Sequence, residues 1–382
     1  MTRLDMTGLS ARPAQVWGGI RLVPLVREEP LEGLRLRHEV YGQGYAAVDA
    51  GAATYVSYIP HGFVADWSGD GTQSASYGTQ LSGMYAEGGP PACVPLRFHH
   101  RMAKRGRGER LLRFLPLHLA LEGYLALHFG GPTVAWDEWS QQAVRRGLSP
   151  RAEAAYRGAE VPGLADALRI FEIHPGQCGV LVYAADALAA AFVVPHPDDY
   201  RALHASLLED LYGELVHQYA LYTRPVPEFE ARITGSAYVR TLADLRAAAQ
   251  EQLRAWSEAH DTVFAGGLLD ASYSFERVYR MGSNDLWRFL PPFTRGGQEQ
   301  HIGETITDHK GRVAYLKTFR LSESQIRRGH LLRRLTQNDW QLTRTAEALG
   351  TTVEELARRI RAAGFESLLK PDVGHAKQRK PM

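Results

Sequence analysis

The spacing of apolar residues changes along this chain, and that change limits the available folds more than any other feature. Near the N-terminus, Ile20 to Val26 and Leu34 to Val40 alternate apolar and polar side chains, which is typical of β-strands with one buried face. From Gln325 to Ala363 the apolar residues recur at helical spacing. We therefore expect an α+β fold, in which a mixed sheet with packed helices is followed by a small all-α unit.

The 382 residues suffice for two or three compact units, since domains usually contain roughly 100–200 residues. A turn at Pro225 to Pro227 provides a plausible boundary. We expect an α+β domain over residues 1–225, a mixed extension over 226–320 and a helix-turn-helix unit over 321–370. Residues 371–382 form a basic tail.

Several further elements follow from local patterns between these boundaries. Strands are predicted at Phe171 to His174 and Gly179 to Tyr183, and a hairpin is predicted from Thr305 to Phe319 around Lys310-Gly311. Leucines at helical spacing predict a helix from Pro197 to about Tyr222. Another helix is predicted from about Leu242 to His260.

Charge is distributed unevenly along the chain. From Ser322 to Met382 there are 12 Lys and Arg against 7 Asp and Glu, which leaves 32 against 35 for the rest. A near-neutral body with a basic C-terminal end suggests contact with phosphate. No stretch approaches the length of a membrane span and the N-terminus lacks a signal peptide, so we expect no membrane association and a cytoplasmic location.

The C-terminal segment contains the start and stop signals of three short helices. A first helix covers Gln325 to Gln337, and a second covers Leu342 to Leu349 and ends at Gly350, a residue typical of left-handed C-caps. Thr352 and Glu355 fit a capping box at the start of a third helix, which ends at Gly364. This order is typical of a DNA-binding helix-turn-helix, in which the last helix enters the major groove.

The same residues resemble a known family. Leu331 to Trp340, Thr345 to Gly350 and Leu356 to Phe365 are similar to the Fis-type helix-turn-helix at the C-termini of many bacterial regulators. The resemblance implies DNA binding, usually as a homodimer. The expected DNA contacts are Arg344, Thr351, Thr352, Arg358, Arg359 and Arg361.

One departure from that family favours a different interpretation. The start of the third helix carries Glu354 and Glu355, where the family usually has basic or polar residues. Carboxylates repel phosphate and can accept only from cytosine amino groups at base edges. An alternative is therefore a non-enzymatic scaffold, whose C-terminal helices dock a protein partner without binding DNA.

A basic hairpin between Arg97 and Arg113 is a second candidate surface. This stretch contains seven Lys and Arg with one Glu, and aromatic and histidine neighbours that could stack on bases. A solvated hairpin tip explains the same composition. The residues that would contact phosphate or nucleic acid are Arg101, Lys104, Arg105, Arg107 and Arg110.

The chain lacks the short motifs of common enzyme classes. It has no Gly-x-Ser-x-Gly elbow, Walker loop or dinucleotide fingerprint, and Cys93 and Cys178 are expected to be small core residues. We expect no cofactor, no metal and no catalytic residue. A metal-dependent enzyme in the histidine-rich half is the third hypothesis, and its histidines are His99, His100, His118, His128, His174, His196, His204 and His217.

Two stretches of the large domain resemble another family. Val16 to Val26, and Phe171 to Tyr183 with the long helix that follows, are similar to the ARPP proteins, which are associated with ADP-ribosylglycohydrolases and rhodanese-phosphatase proteins. The resemblance implies an accessory α+β domain encoded near bacterial stress or conflict systems. It also implies a protein partner encoded in the same operon. We therefore expect a DNA-binding regulator, or a DNA-associated component of such a system, that senses through its N-terminal domain.

Overall fold

The computed structural model describes the chain in several stretches. It covers residues 2–31, 171–208, 238–281, 283–297 and 299–369, together with short pieces between them. These pieces are 34–37, 46–49, 53–57, 64–67, 73–76, 79–83, 93–95, 111–114, 125, 129, 215–216, 219–220, 223–226 and 233.

Strands dominate the described residues before the C-terminal helices. Near the N-terminus they are β1 (Leu9–Ala11), β2 (Gln15–Trp17) and β3 (Ile20–Arg27). The short strands that follow are β4 (Arg35–Arg37), β5 (Ala46–Asp49), β6 (Ala53–Ser57), β7 (Val64–Trp67), β8 (Gln73–Ser76), β9 (Thr79–Gly83), β10 (Cys93–Pro95) and β11 (Leu111–Phe114). The remaining strands are β12 (Gln177–Ala184), β13 (Ala187–Val193), β14 (Ser274–Met281), β15 (Asn284–Leu290), β16 (His301–Thr307) and β17 (Val313–Arg320).

A nine-stranded antiparallel sheet is the centre of the fold. Its order is β1-β3-β12-β13-β17-β16-β15-β14, with β2 also paired to β3. The fold is therefore α+β as expected, but the sheet is antiparallel rather than mixed. The reason lies in the connections, because β12–β13 and β14 to β17 follow one another through hairpins or short loops that cannot return a strand in the parallel sense.

Residues 226–320 contribute four of the nine strands, so they share this sheet with the N-terminal segment. The predicted hairpin around Lys310-Gly311 is formed by β16 and β17, and Gly311 adopts the positive φ of 84° that the turn requires. Two further four-stranded sheets, in the orders β10-β8-β7-β11 and β4-β5-β6-β9, lie between β3 and β12 in sequence.

The central strands are buried on both faces rather than on one. All eight residues of β3 are buried, including Arg21 and Arg27. The Arg27 guanidinium donates to the Val313 carbonyl at 2.8 Å, and Arg21 pairs with Asp186 at 3.0 Å. The alternation in the sequence therefore marks arginines that are buried with partners, not a solvent-facing side.

The predicted strand at Phe171 to His174 is wrong, because the described chain is irregular there and β12 begins at Gln177. The Gln15 side-chain amide bonds to both the N–H and the carbonyl of Glu172 at 2.6 Å, which replaces a strand partner. The following turn is closed by the Gln177 N–H, which donates to the His174 carbonyl at 2.9 Å.

Six helices complete the described fold. Three precede or interrupt the strands, namely α1 (Pro197–Ser206), α2 (Leu242–Val263) and α3 (Gly266–Leu269). Three follow β17, namely α4 (Glu323–Gln337), α5 (Leu342–Ala348) and α6 (Val353–Ala362), and a 3₁₀ turn covers Glu366–Leu369. Among the described residues, no helix combines the length and apolar character needed to cross a membrane.

The hydrophobic residues of α4 belong to two cores. Ile326 and Leu332 join the large core that includes the central sheet. Leu331 and Leu335 join a small core with the buried residues of α5, α6 and the 3₁₀ turn, which are Ala346, Leu356, Ile360 and Leu368. The C-terminal helices are therefore packed on the sheet domain through α4.

Candidate nucleic-acid interface

A tight turn connects α5 to α6. The turn contains four residues, Leu349 to Thr352, and Gly350 at its centre has a φ of 60°. A left-handed φ of this kind favours glycine because it has no Cβ. The predicted C-cap at Gly350 is confirmed, and Gly364 after α6 likewise has a positive φ of 82°.

The start of α6 contains half of the predicted capping box. The Thr352 hydroxyl accepts from the Glu355 N–H at 3.2 Å, as expected for an N-cap. The Glu355 carboxylate turns along its own helix and pairs with Arg358 at 2.7 Å and Arg359 at 3.0 Å. Hydrogen bonds from Arg359 and Arg358 lower the pKa of Glu355, so the carboxylate stays ionised and partly offsets both arginines.

The six expected DNA contacts differ in availability. Arg344 on α5 is exposed, whereas Thr351 is half-buried and Thr352 uses its hydroxyl as the cap. Arg358 and Arg359 share Glu355, and Arg361 lies 3.9 Å from Glu366. The side chains of Arg344, Arg358, Arg359 and Arg361 are all exposed to solvent. Exposed ion pairs contribute little to stability, so these arginines can still contact phosphate.

A cleft of about 870 Å³ lies beside α6, between α4 and the loop that joins β15 to β16. We call it the arginine cleft, because its basic lining residues are Arg295, Arg327, Arg328, His330, Arg334 and Arg359. The sequence predictions included only Arg359 among these. Helical spacing in the sequence could have indicated two of the other residues. Arg327 and Arg334 are seven residues apart and therefore lie on one face of α4.

Comparison with known protein families identifies the family of the larger part of the chain. The family model named ARPP-2 matches residues 4–282, which is more than two thirds of the sequence. The chain belongs to the ARPP-2 family. The match ends before β15, β16, β17 and the C-terminal helices, and no curated protein and no solved structure matches the chain.

The ARPP-2 region contains one buried polar chain of side chains. The Tyr183 hydroxyl lies 2.8 Å from Nε2 of His260, and Nδ1 of His260 lies 2.9 Å from the Asp261 carboxylate. Burial raises the pKa of Tyr183, and Trp256 stacks on the His260 ring at 5.1 Å between centroids. Tyr183 and His260 are buried, so these hydrogen bonds satisfy polar atoms that have no access to water.

Among the other candidate chemical groups of the ARPP-2 region, Cys178 and His204 are buried, whereas His174 is exposed and His196 is partly exposed. Cys178 is a buried free thiol, and burial raises its pKa to about 11, which suppresses the thiolate. Burial lowers the pKa of His204 to about 4. Within the part of the chain that the structure describes, no three His, Cys, Asp or Glu residues form a metal-binding group.

The five basic residues of the predicted hairpin lie outside the described residues. They are Arg101, Lys104, Arg105, Arg107 and Arg110. The same holds for His99, His100, His118, His128 and His217. The surface predicted at this hairpin and the histidine-rich enzyme hypothesis therefore stay predictions.

Proposed function

We propose that helices α4 to α6 form a Fis-type helix-turn-helix that binds DNA, and that the ARPP-2 region acts as the sensing domain of a bacterial stress or defence regulator. The observation that carries the proposal is the α5–turn–α6 arrangement, in which Gly350 closes the turn and Thr352 caps the following helix. In such a unit the start of the second helix faces the DNA bases.

The charge of the exposed helix surfaces supports the same proposal. Arg344 on α5 and Arg358 and Arg361 on α6 extend from consecutive elements, which suits contact with a phosphate backbone. Contacts of this kind give affinity that falls steeply with salt but carry no sequence information. We expect a homodimer, because a single helix-turn-helix covers too little DNA to bind tightly.

The test uses the full-length protein and a fluorescently labelled duplex pool in anisotropy titrations at several salt concentrations. Arg344→Gln and Arg358→Gln are each expected to weaken binding and to reduce the slope of log affinity against log salt by about one. Arg254→Gln on α2 is the matched control, because Arg254 is exposed and forms an i,i+4 ion pair with Glu258 at 3.9 Å.

Point variants are preferable to removal of the C-terminal helices. Ile326 and Leu332 of α4 are buried in the large core, so truncation after Arg320 would expose apolar sheet surface and change the remaining protein. Failure of the full-length protein to bind any duplex at low salt would end the DNA-binding proposal. Sedimentation of the same samples checks the dimer.

One observation favours a second candidate function, the docking of a protein partner. Val353 is 37% exposed at the start of α6, and Glu354 beside it is exposed as well. An apolar and an acidic side chain suit a protein surface better than a phosphate backbone. If the full-length protein binds no duplex at low salt, and Val353→Ser and Glu354→Gln abolish co-purification of an operon-encoded protein, docking replaces DNA binding.

A further inference from the structure

The arginine cleft concentrates positive charge without opposite charge on its walls. Five arginines and His330 line it, and none of its described lining residues is acidic. Like charges placed around one concave surface repel each other and focus a positive potential into the cavity. An arrangement of this kind is stabilised when an anion enters.

The ion pairs of Arg327 and Arg359 are exposed to solvent and directed along their own helices. Arg327 pairs with Glu323 at 3.6 Å and Arg359 with Glu355 at 3.0 Å, and both glutamates lie outside the cleft lining. Arg334 donates to the neutral Gln337 side chain at 3.4 Å. Exposed pairs at i,i+4 contribute little, so an incoming polyanion can compete for these guanidinium groups.

The wall opposite α4 is held in a fixed conformation. Phe293 has a φ of 54°, and its buried ring lies so close to Gly329 that a Cβ there would fall 2.2 Å from a ring carbon. The Gln300 amide bonds to both the N–H and the carbonyl of Thr294, at 3.1 and 2.7 Å, and Arg333 donates to the Pro292 carbonyl at 3.3 Å. Strained backbone that its surroundings hold in place is typical of binding sites.

His330 reports on the electrostatics of the cleft. Its pKa is lowered first by burial and then by the neighbouring guanidinium groups of Arg334, Arg295 and Arg333. A bound anion would reverse the latter contribution, because negative charge beside an imidazole favours its protonated form. The cleft can therefore gain one further positive charge as it fills.

The size and the apolar part of the lining indicate a small ligand. A volume of about 870 Å³ lies within the usual range of small-molecule sites, roughly 300–1,000 Å³. Leu331, Leu349 and Ala362 provide an apolar wall beside the arginines. A cavity between two packed elements suits a compact ligand better than a duplex, whose phosphates lie on a convex rod.

We propose that the arginine cleft binds a small ligand with two or three linked phosphate groups, whose remaining part packs on the apolar wall. The planar guanidinium groups would hold the phosphate oxygens in bidentate hydrogen bonds. The proposal concerns a site distinct from the exposed arginines of the DNA proposal and does not depend on DNA binding. Arg359, on the border between both, is left unchanged in the test below.

The test is isothermal titration of the full-length protein with sodium tripolyphosphate and with pyrophosphate, at fixed ionic strength. One saturable site per chain is expected. Arg295→Gln and Arg334→Gln, from opposite walls, are each expected to weaken tripolyphosphate binding roughly tenfold, as for a charge-assisted hydrogen bond. Arg254→Gln is the control, since Arg254 is exposed on α2 outside the lining, and it should leave this affinity unchanged.

The results separate the two proposals. Tripolyphosphate binding that is lost in the cleft variants and kept in Arg254→Gln supports the cleft proposal, even if no duplex binds. No saturable binding of either phosphate probe, or equal weakening in all three variants, overturns it. It is also overturned if only duplex DNA binds and the cleft variants weaken that binding, since the cleft would then be part of the DNA surface. Circular dichroism and thermal unfolding of each variant confirm that the fold is retained.

Discussion

Two regions of this molecule carry clustered charge and arrange it differently. In the sheet, Lys317 on β17 and Glu304 on β16 face each other at 2.8 Å with no exposed side-chain surface, and Arg288 on β15 donates to the same carboxylate at 3.4 Å. In the C-terminal helices, the arginine cleft has no acidic residue among its described lining. Charge that is paired and buried holds strands together, whereas charge that faces an open cleft is suited to a ligand from outside.

The largest expected effect comes from removing the carboxylate of the buried charge cluster in the sheet. Glu304→Gln would leave Lys317 buried without its counter-charge, so we expect a loss of roughly 3–5 kcal/mol in the free energy of unfolding. Burial lowers the pKa of Lys317, and the loss should therefore shrink as the pH rises toward 10. Urea unfolding at pH 7 and pH 9.5 measures both effects.

Glu258→Gln is the control for that variant, because Glu258 pairs with Arg254 on the surface of α2 and should change stability very little. A loss in Glu304→Gln no greater than in this control would contradict the structural role of the buried cluster. The double variant Glu304→Leu with Lys317→Met should recover part of the stability, since the apolar pair needs no counter-charge but Arg288 still loses its acceptor.

The seam between the two regions gives the second prediction. Gly329→Ala would place a Cβ against the buried ring of Phe293, a residue of the β15–β16 loop. We expect a loss of roughly 1–3 kcal/mol from overpacking, only partly offset by the better helix propensity of alanine. Weaker tripolyphosphate binding should accompany it, because the wall of the cleft shifts. Thermal unfolding with titration measures both, and a more stable variant would contradict the packing.

His204 sharpens the comparison, because burial there suppresses charge rather than balancing it. Its pKa is about 4 in the folded protein against 6.5 when unfolded, so only the unfolded state takes up a proton between these values. Stability is therefore complete above pH 6.5 and falls as the pH drops toward 4. Titration of His204 should lower the free energy of unfolding by about 2 kcal/mol at pH 5 relative to pH 7.5.

His204→Gln should remove that part of the pH dependence. Urea unfolding of both proteins at pH 7.5 and pH 5 measures the difference, and other histidines contribute equally to the two. Identical loss of stability on acidification in both proteins would show that His204 titrates normally and that its surroundings admit the charged form.

The smallest expected effect concerns the open charge of the helices. Glu355→Gln would release Arg358 and Arg359 from their shared carboxylate. We expect roughly two- to fivefold tighter binding of duplex DNA at low salt, an effect that higher salt should screen. Anisotropy titrations at two salt concentrations measure it. Unchanged or weaker binding would indicate that the start of α6 does not approach phosphate.

Local chemistry in the sequence was enough to predict several features of the fold. The turn at Gly311, the C-cap at Gly350 and the N-cap at Thr352 depend only on neighbouring residues, and the structure has each of them. The helix from Leu242 was predicted to end near His260 and ends at Val263. Such features depend on backbone conformation and capping, which short segments encode directly.

Features that depend on distant segments could not be predicted in the same way. The sequence of β17 does not indicate that Lys317 is buried, because its partner Glu304 is on another strand. The cleft joins the loop at Arg295 to helices that follow it by about thirty to seventy residues. The segment Phe171 to His174 was predicted to be a strand from its own residues. The Gln15 side chain, distant in sequence, occupies the backbone groups of Glu172 instead.

The junction between β17 and α4 has a mechanical consequence. Only Leu321 separates the end of the strand from Ser322, the N-cap of the helix, and the Leu321 N–H is tied to the Gln300 carbonyl at 2.9 Å. Because the connection is one residue long and Ile326 and Leu332 of α4 pack in the sheet core, α4 rotates together with the end of the strand. At about 22 Å in length, the helix would convert a 5° rotation at the strand end into a displacement of about 2 Å at its far tip. A small distortion of the sheet would therefore change where the last two helices point.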